Sequence, residues 1–374
     1  RARLTAERDR YLGIVRRLAG PRAELMAPAS FAEALTKRGL SVPLTPKTRQ
    51  PSVTKGWLEE HWHDELAGAI LAGRRVSTII TTFLDGHILG HAVNGRIHCE
   101  FNQLKGDRGG TIARLSSSNP NLQNIPARDE ELAPLVRGLF LPEGGEAWEQ
   151  LDYSQIEYRL LAHYGRGPSG ETARERYRSD PTTDFHAMCG DMIGLNAKDG
   201  PARKRVKGIN FCKVYGGGTF KLAQVIGCSI EEAQRFTNEY DERLPFVAET
   251  FSAAAAQAQT RGYVTTLLGR RGRFDLWEPR ETRTAPLPRA LALERWGERL
   301  KRAFTYAALN RVLQGSAADL LKKAMDLWQS GVIATLGVPL LTVHDELDWS
   351  RPRTPIGEEA LIEARRIMAA AIPL

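Results

Sequence analysis

The tightest constraint in this sequence is a strand that runs without a break into a helix, with an aspartate at the joint. Residues from Ala147 to Tyr153 read as a short strand, after which Ile156, Leu160, Leu161 and Tyr164 fall on one helical side. Asp152, in LDYSQIEYR, is thereby set where the strand ends. Far along the chain, Pro339 to Trp349 reads as a hairpin with polar residues at its tip, and Asp345, in LTVHDELDW, lies at that tip. The class is α+β: helix-rich, with a strand platform assembled from distant segments.

The remaining patterns fill in around that platform. With 374 residues, 42% of them hydrophobic, the chain has enough apolar material for a large core and more than one lobe. Arg1 to about Gly20 reads as a charged helix with Tyr11, Leu12, Ile14 and Val15 as its apolar stripe, and Pro43, Pro46 and Pro51 mark turns after it. A second helical pattern runs from Trp57 to Gly73, and Val76 to Phe83 suits either a strand or a buried helix. Gly95 to Arg114, with Gly106, Gly109 and Gly110, reads as short strands joined by turns; Ser116 to Pro126 (SSSNPNLQNIP) reads as a loop. From about Phe185 to Ala307 the pattern is mainly helical, broken at Gly216 to Gly218 and at Pro279 to Pro288, and a last helix covers Glu358 to Ala371. No internal repeat and no low-complexity stretch interrupts it.

Charge and cysteine usage narrow the class. A formal net charge of +8 and a pI near 9.4 favour a polyanionic partner, although many ordinary basic enzymes match them. Cys99, Cys189, Cys212 and Cys228 are scattered without a C-x-x-C pair, which reads as reduced thiols of an intracellular protein and as no zinc site. His61 and His63 form an H-x-H pair with no third ligand nearby and read as a surface helix. No apolar run approaches membrane-spanning length and no signal peptide opens the chain. A start at Arg1 rather than Met implies a piece of a longer polypeptide.

Three features carry chemistry. Magnesium prefers carboxylate oxygens, keeps several waters and is completed by substrate phosphates, so Asp152 and Asp345 on adjacent strands are candidate ligands. Each taken alone is more often a helix cap or turn former. In ARKRVKGINFCKVYGGG, Arg203, Lys207, Phe211 and Tyr215 recur every four residues, placing two cations and two aromatics along one helical face. A triphosphate needs cations in a row and a nucleobase needs a flat surface to stack on. The bland alternative is an amphipathic surface helix whose Phe211 and Tyr215 are core.

Together the motifs resemble DNA polymerase family A, the DNA polymerase I-like enzymes. DYSQIEYR resembles the first palm motif, RKRVKGINFCKVYG the fingers helix, VHDE the second palm motif, SSSNPNLQNIP the upstream loop, and LNRVLQGSAADLLKKAM the helix before VHDE. All stand in family order between about Gly95 and Glu346, and GRIHCEFNQLKGDRGG has the glycine-rich style of phage or plasmid members.

The resemblance implies a right-hand fold: a thumb over residues 1–82, a palm over 83–163 and 302–374 built on an antiparallel sheet, and helical fingers over 164–301. It implies two Mg2+ ions held by Asp152, Asp345 and the Tyr153 carbonyl. Arg203 and Lys207 would grip the incoming deoxynucleoside triphosphate, with Lys207 also protonating the leaving pyrophosphate. Phe211 would stack on the base or sugar, Tyr215 would close the pocket, and Glu157 would crowd the 2′ position; His186 and Gln155 are further nucleotide-binding candidates. Arg114, Asn310 and Gln314 would touch the minor groove, where acceptors common to all pairs allow a sequence-independent check. His344 and Glu346 would position the primer end, and Gln123 and Asn124 join the DNA-binding set.

The partners implied are primer-template DNA and deoxynucleotides, with no membrane, no processivity factor identified, and a cytoplasmic place in a bacterium or phage-infected cell. No exonuclease motif precedes the thumb. The basic residues Arg8, Arg10, Arg16, Arg17 and Arg22 suit either a thumb gripping phosphates or a solvated helix face.

The sequence departs from the family in places. Cys212 and Lys213 stand where Gly and an apolar residue are usual, with Lys213 expected to face solvent or template phosphate. Tyr306 replaces an arginine of the bacterial enzymes, Arg311 and Val312 replace Ala-Pro, and the chain stops at Leu374, short of the family's closing strand. Rival readings are a single-subunit RNA polymerase, which usually has a small residue where Glu157 stands, and a non-catalytic nucleic-acid-binding module.

Overall fold

The computed structural model describes residues 1–103, 114–126, 129–194, 200–282, 284–329, 331, 334 and 339–374. Gly106, Gly109 and Gly110 lie outside the described residues. The chain divides into two compact units, one of Arg1–Phe101 with Ser117–Leu141, the other of Asn102–Ser116 with Pro142–Leu374.

In the first unit the helix Ala2–Ala19 packs on the helix Glu65–Thr78. Val15 is fully buried with Phe31, Leu35, Leu58, Leu66 and Ile70, while Tyr11, Leu12 and Ile14 pack at the margin of that core. The apolar run of 57–73 is not one helix. Asp64 accepts from the Leu66 and Ala67 amides at 3.0 Å, and that cap starts a new helix after Lys55–Glu60. The stretch after Val76 is helical, widening into π-helical turns over Ile79–Leu89. Several basic residues of the first helix carry local partners: Arg8 pairs with Asp9, Arg16 with Glu24 and Arg17 with Glu65. SSSNPNLQNIP is not purely loop, since Ser116–Ser118 is a short strand and Leu122–Asn124 a 3-10 turn.

The second unit is built on an antiparallel sheet. Glu346–Pro352 is central, with Leu341–Val343 on one side and Glu146–Asp152 on the other. Its register sets Leu347 opposite Leu151 and Glu346 opposite Asp152. Leu151, Leu347 and Trp349 alternate onto one face, where the helices Ala308–Leu327 and Pro355–Ala370 cover them with Leu321, Ala324, Ala360, Leu361 and Ile367. Trp349 meets Trp328 edge to face at 5.5 Å. A larger core joins Leu160, Leu161, Phe185, Val206, Ile209, Phe246 and Leu313 around the helices that follow. Arg270 and Asp319 form an ion pair inside it, and Asp319, 4% exposed, also accepts from the Leu268 amide at 3.1 Å.

The mainly helical expectation for 185–307 fails in its last third. Gly262, at φ 78°, ends the helix Pro245–Arg261, and the β-forming Tyr-Val-Thr run then pairs with Arg271–Arg273. A three-stranded sheet of Leu276–Pro279, Leu287–Pro288 and Leu300–Arg302 follows, with Arg289–Trp296 the one helix among the described residues of 263–302.

Trp349→Ala should lower stability by about 3–5 kcal/mol, because it empties the sheet's covered face beneath the hairpin. Urea unfolding followed by circular dichroism checks this; a loss below about 1 kcal/mol would mean that the face collapses without cost.

Candidate active site

Antiparallel pairing of two sequence-distant strands brings Asp152 and Asp345 together. Asp152 is the last residue of Glu146–Asp152, and Asp345 occupies the turn between Leu341–Val343 and Glu346–Pro352. The Tyr153 amide donates to the Asp345 carbonyl at 3.4 Å, so the ladder continues past both carboxylates. The turn is tight, with His344 at φ 59° in the left-handed region. Burial pushes the Asp152 carboxyl above its usual range. Burial, then the Asp152 charge, pushes Asp345 up to about 6, against the pull of Arg114. Among the described residues neither carboxylate has a salt-bridge partner, and no cluster of three or more His, Cys, Asp or Glu could hold a metal.

Two partly buried carboxylates, each with raised proton affinity and one of them further raised by its neighbour's charge, are a fit for a hard divalent cation. Magnesium is commonly held by one or two protein carboxylates plus waters and phosphate oxygens, so a third side-chain ligand is not required. The Tyr153 hydroxyl is used elsewhere, donating to the Met368 carbonyl at 2.8 Å.

Arg114, whose charge acts on Asp345, connects through Glu157 to the cation–aromatic helix. Arg114 donates to Glu157 Oε1 at 2.7 Å, and the Tyr215 hydroxyl donates to Glu157 Oε2. The pair is mostly enclosed, with side chains 19% and 18% exposed. Burial and the Glu157 charge hold the Tyr215 phenol above its usual range, and Gln314 bonds the same hydroxyl. Glu157 lies in the first turn of the helix Ile156–Tyr164, which starts after Gln155 at φ 52°. Gln155 Oε1 accepts from the Phe185 amide at 3.0 Å and so joins this helix to Phe185–Met192.

The helix Gly200–Val214 carries Arg203, Lys207 and Phe211, with Tyr215 just beyond its end. Phe211 is 39% exposed, which removes the reading of that ring as core. It stacks on Tyr215 with centroids 5.7 Å apart, and the Lys207 ammonium lies 6.0 Å from its centre. Arg203 pairs with Asp184, the N-cap of Phe185–Met192. His186 is buried; its Nδ1 meets the Asn210 Nδ2 at 2.9 Å, and burial together with Lys207 and Arg203 lowers its pKa to about 4.

The sequence reading missed Asp184, Asn210 and Tyr158, whose ring packs against Phe185, His186 and Phe211. No spacing rule marks a cap or a buried amide as a neighbour of another helix. Lys213 also differs from expectation: instead of facing solvent or template it pairs with Asp241 at 2.6 Å and is 16% exposed. Asp241 reaches it from the helix Ile230–Arg243.

Of the other candidates, His344 and Glu346 flank Asp345. His344 keeps an exposed edge, while partial desolvation of its ring and then the Arg114 charge lower its pKa. Glu346 accepts from Gln150 at 3.4 Å. Asn310 keeps a buried Oδ1 without a hydrogen-bond partner among the described residues. Gln123 and Asn124 belong to the first unit, on Leu122–Asn124.

Comparison with known proteins matches this geometry to one family. The chain is 32% identical to a DNA-directed DNA polymerase of Pseudomonas phage M6, over 91% of this chain and 54% of that protein. It is 34% identical to DNA polymerase I of Pseudomonas aeruginosa, over 88% of this chain and 34% of that one. It spans about half the length, or less, of these relatives. Its fold superposes with TM-score 0.75 and 28% identity on the POL domain of Pol1 from M. smegmatis, solved with DNA primer-template and dNTP, covering 99% of this chain and 63% of that one. The fold is therefore the right-hand polymerase fold. The model of DNA polymerase family A matches residues 1–374, and the chain belongs to that family.

Proposed function

We propose that this chain is the polymerase core of a template-directed DNA polymerase, joining deoxynucleotides to a primer 3′-hydroxyl and releasing pyrophosphate. The observation that carries the reading is Glu157, held by Arg114 and by Tyr215 of the cation–aromatic helix, with the Arg114 charge also acting on Asp345 of the carboxylate pair. That the Pol1 domain was solved with primer-template and dNTP supports the substrate class.

Asp152, Asp345 and the Tyr153 carbonyl would hold two Mg2+ ions. When bound, these would activate the attacking oxygen and stabilise the departing one. The remaining work belongs to the chain. Arg203 and Lys207 bind the triphosphate oxygens as charge builds on them, and Lys207 gives a proton to the leaving pyrophosphate. Phe211 offers its exposed face to the base or sugar, Tyr215 closes the pocket, and His186 and Gln155 belong to the same nucleotide site. Asn310, Gln314 and Arg114 lie along the minor groove, with His344 and Glu346 at the primer end and Gln123 and Asn124 on the DNA. The domains follow as thumb 1–82, palm 83–163 and 302–374, and fingers 164–301.

Glu157 decides DNA over RNA. Both its oxygens are occupied, by Arg114 and by Tyr215, so a 2′-hydroxyl beside it would find a crowded and committed carboxylate. Such poorly paired burial costs roughly 1–3 kcal/mol.

Asp152→Ala or Asp345→Ala should abolish Mg2+-dependent primer extension while leaving duplex affinity within about twofold, because phosphate contacts carry affinity. Near-normal extension by either variant would refute the assignment. Asp345 also dictates a pH effect on the metal-free protein. Its folded pKa lies above that of a free carboxyl, so its charged form costs stability above about pH 6, and the cost vanishes as falling pH protonates it. Asp345→Asn should therefore melt higher than the parent at pH 8 in EDTA, with the gain shrinking through pH 6; a constant difference would point to packing instead. Glu157→Ala should improve ribonucleotide relative to deoxynucleotide insertion at least about tenfold, matching about 1.4 kcal/mol. Single-nucleotide insertion on one primer-template decides it, and unchanged discrimination would remove the main argument against RNA synthesis.

A further inference from the structure

The two cations of the helix Gly200–Val214 are not held alike. Lys207 lies 6.0 Å from the centre of the Phe211 ring and makes no salt bridge among the described residues, whereas Arg203 is paired with Asp184. That pair is only part-buried, each side chain being 31% exposed, so solutes can reach it. A guanidinium assigned to an incoming phosphate is thus already engaged by a carboxylate of its own chain.

Asp184 is fixed on its side of the pair. It is the N-cap of Phe185–Met192: its Oδ1 accepts from the Ala187 amide at 3.0 Å, and its carbonyl accepts from the Met188 amide at 2.9 Å. The next residue, Phe185, is fully buried, and its amide donates to Gln155 at 3.0 Å. Burial raises the Asp184 carboxyl, but the Arg203 hydrogen bond, the Ala187 amide and the Arg203 charge outweigh it and hold the group below its usual range, so it stays an anion. Capping uses Oδ1 and pairing uses Oδ2, so the cap survives when the ion pair opens. The movable partner is therefore Arg203, on its long side chain.

An anion that takes the guanidinium competes with Asp184 for it. A part-exposed ion pair changes an equilibrium by up to about fivefold, so a phosphate ligand binds Arg203 more weakly by about that factor. A deoxynucleotide has further holds, because its base and sugar meet Phe211 and Tyr215. Pyrophosphate, once severed from them, has only its phosphate contacts, and the same competition then decides how readily it leaves.

We propose that Asp184 is a specificity-determining residue that competes within the chain for Arg203, recapturing it as pyrophosphate departs and so keeping the product from holding the site. The inference rests on the polymerase reading above, which assigns Arg203 to the triphosphate.

The test uses the whole chain and inorganic pyrophosphate. Asp184→Asn keeps a capping oxygen and removes the charge, and Asp184→Ser is a second neutral cap, so circular dichroism should show both variants folded. Calorimetry in EDTA, where only the chain's own groups hold the ligand, should show each variant binding pyrophosphate about fivefold more tightly than the parent. With Mg2+ present, pyrophosphate should inhibit primer extension by the variants at about fivefold lower concentration. In an Arg203→Ala background, Asp184→Asn should change pyrophosphate affinity by less than about twofold, because the group competed for is gone. Weaker binding by a folded Asp184→Asn would mean that Asp184 orients Arg203 instead. An equal gain with and without Arg203 would mean that its charge acts at a distance. Either result, or unchanged affinity, overturns the competition. Primer extension by the parent is scored separately: its absence would sink the polymerase reading, whereas the calorimetry needs no turnover and judges the competition alone.

Discussion

Two like charges are held against each other at the end of a sheet, and much of the second unit is arranged to keep them there. Burial of the Asp345 charge, and then its repulsion by Asp152, opposes the fold, as the raised proton affinity of Asp345 records. What opposes the repulsion is register: Glu346 opposite Asp152, Leu347 opposite Leu151, and a tryptophan-lined face beneath covered by two helices. A slip of one residue would turn Trp349 and Leu347 to the other face, so the apolar face that stabilises the sheet also fixes the spacing of the carboxylates. Stability invested in the covered face sustains a destabilising arrangement at the edge, as is common where strained or charged groups serve chemistry.

The same economy governs Glu157. A carboxylate one-fifth exposed would carry a large penalty alone, yet here it accepts from Arg114 and from Tyr215. Each partner comes from a different segment: the stretch before Ser116–Ser118, the helix after Asp152, and the end of the cation–aromatic helix. Their convergence makes the site cooperative. A shift of the Gly200–Val214 helix would break the Tyr215 contact and leave Glu157 underpaired, and Arg114 would feel Asp345 differently. Lys213 and Arg203 tie that helix to Asp241 and Asp184, so its position is set by ion pairs on two sides.

Much of this was legible in the residues. The strand-to-helix joint at Asp152, the hairpin bearing Asp345 and the helical spacing of Arg203, Lys207, Phe211 and Tyr215 are local patterns, and each element was found within a few residues of its expected place. The failures were non-local. The 57–73 run is interrupted because Asp64 caps a second helix, and 263–302 is mostly short strands because Gly262 ends a helix before a β-forming run. Lys213 was expected to meet solvent or template phosphate. The neighbouring helix that supplies Asp241 follows in sequence, but only packing brings its side chain within reach.

The sequence by itself determined the α+β class, the elements bearing the candidate site and, through its motifs, the family. These depend on periodicity and on side-chain chemistry carried within a few residues of one another. Tertiary structure alone decided which charges face which: that burial and the Asp152 charge raise the proton affinity of Asp345, that Glu157 is shared by Arg114 and Tyr215, that His186 is buried against Asn210, and that Phe304 is strained and exposed. The physical reason is range. Periodicity is a property of neighbouring residues, whereas desolvation and Coulomb energy depend on distances through space that the chain closes only when strands and helices from remote segments pack together.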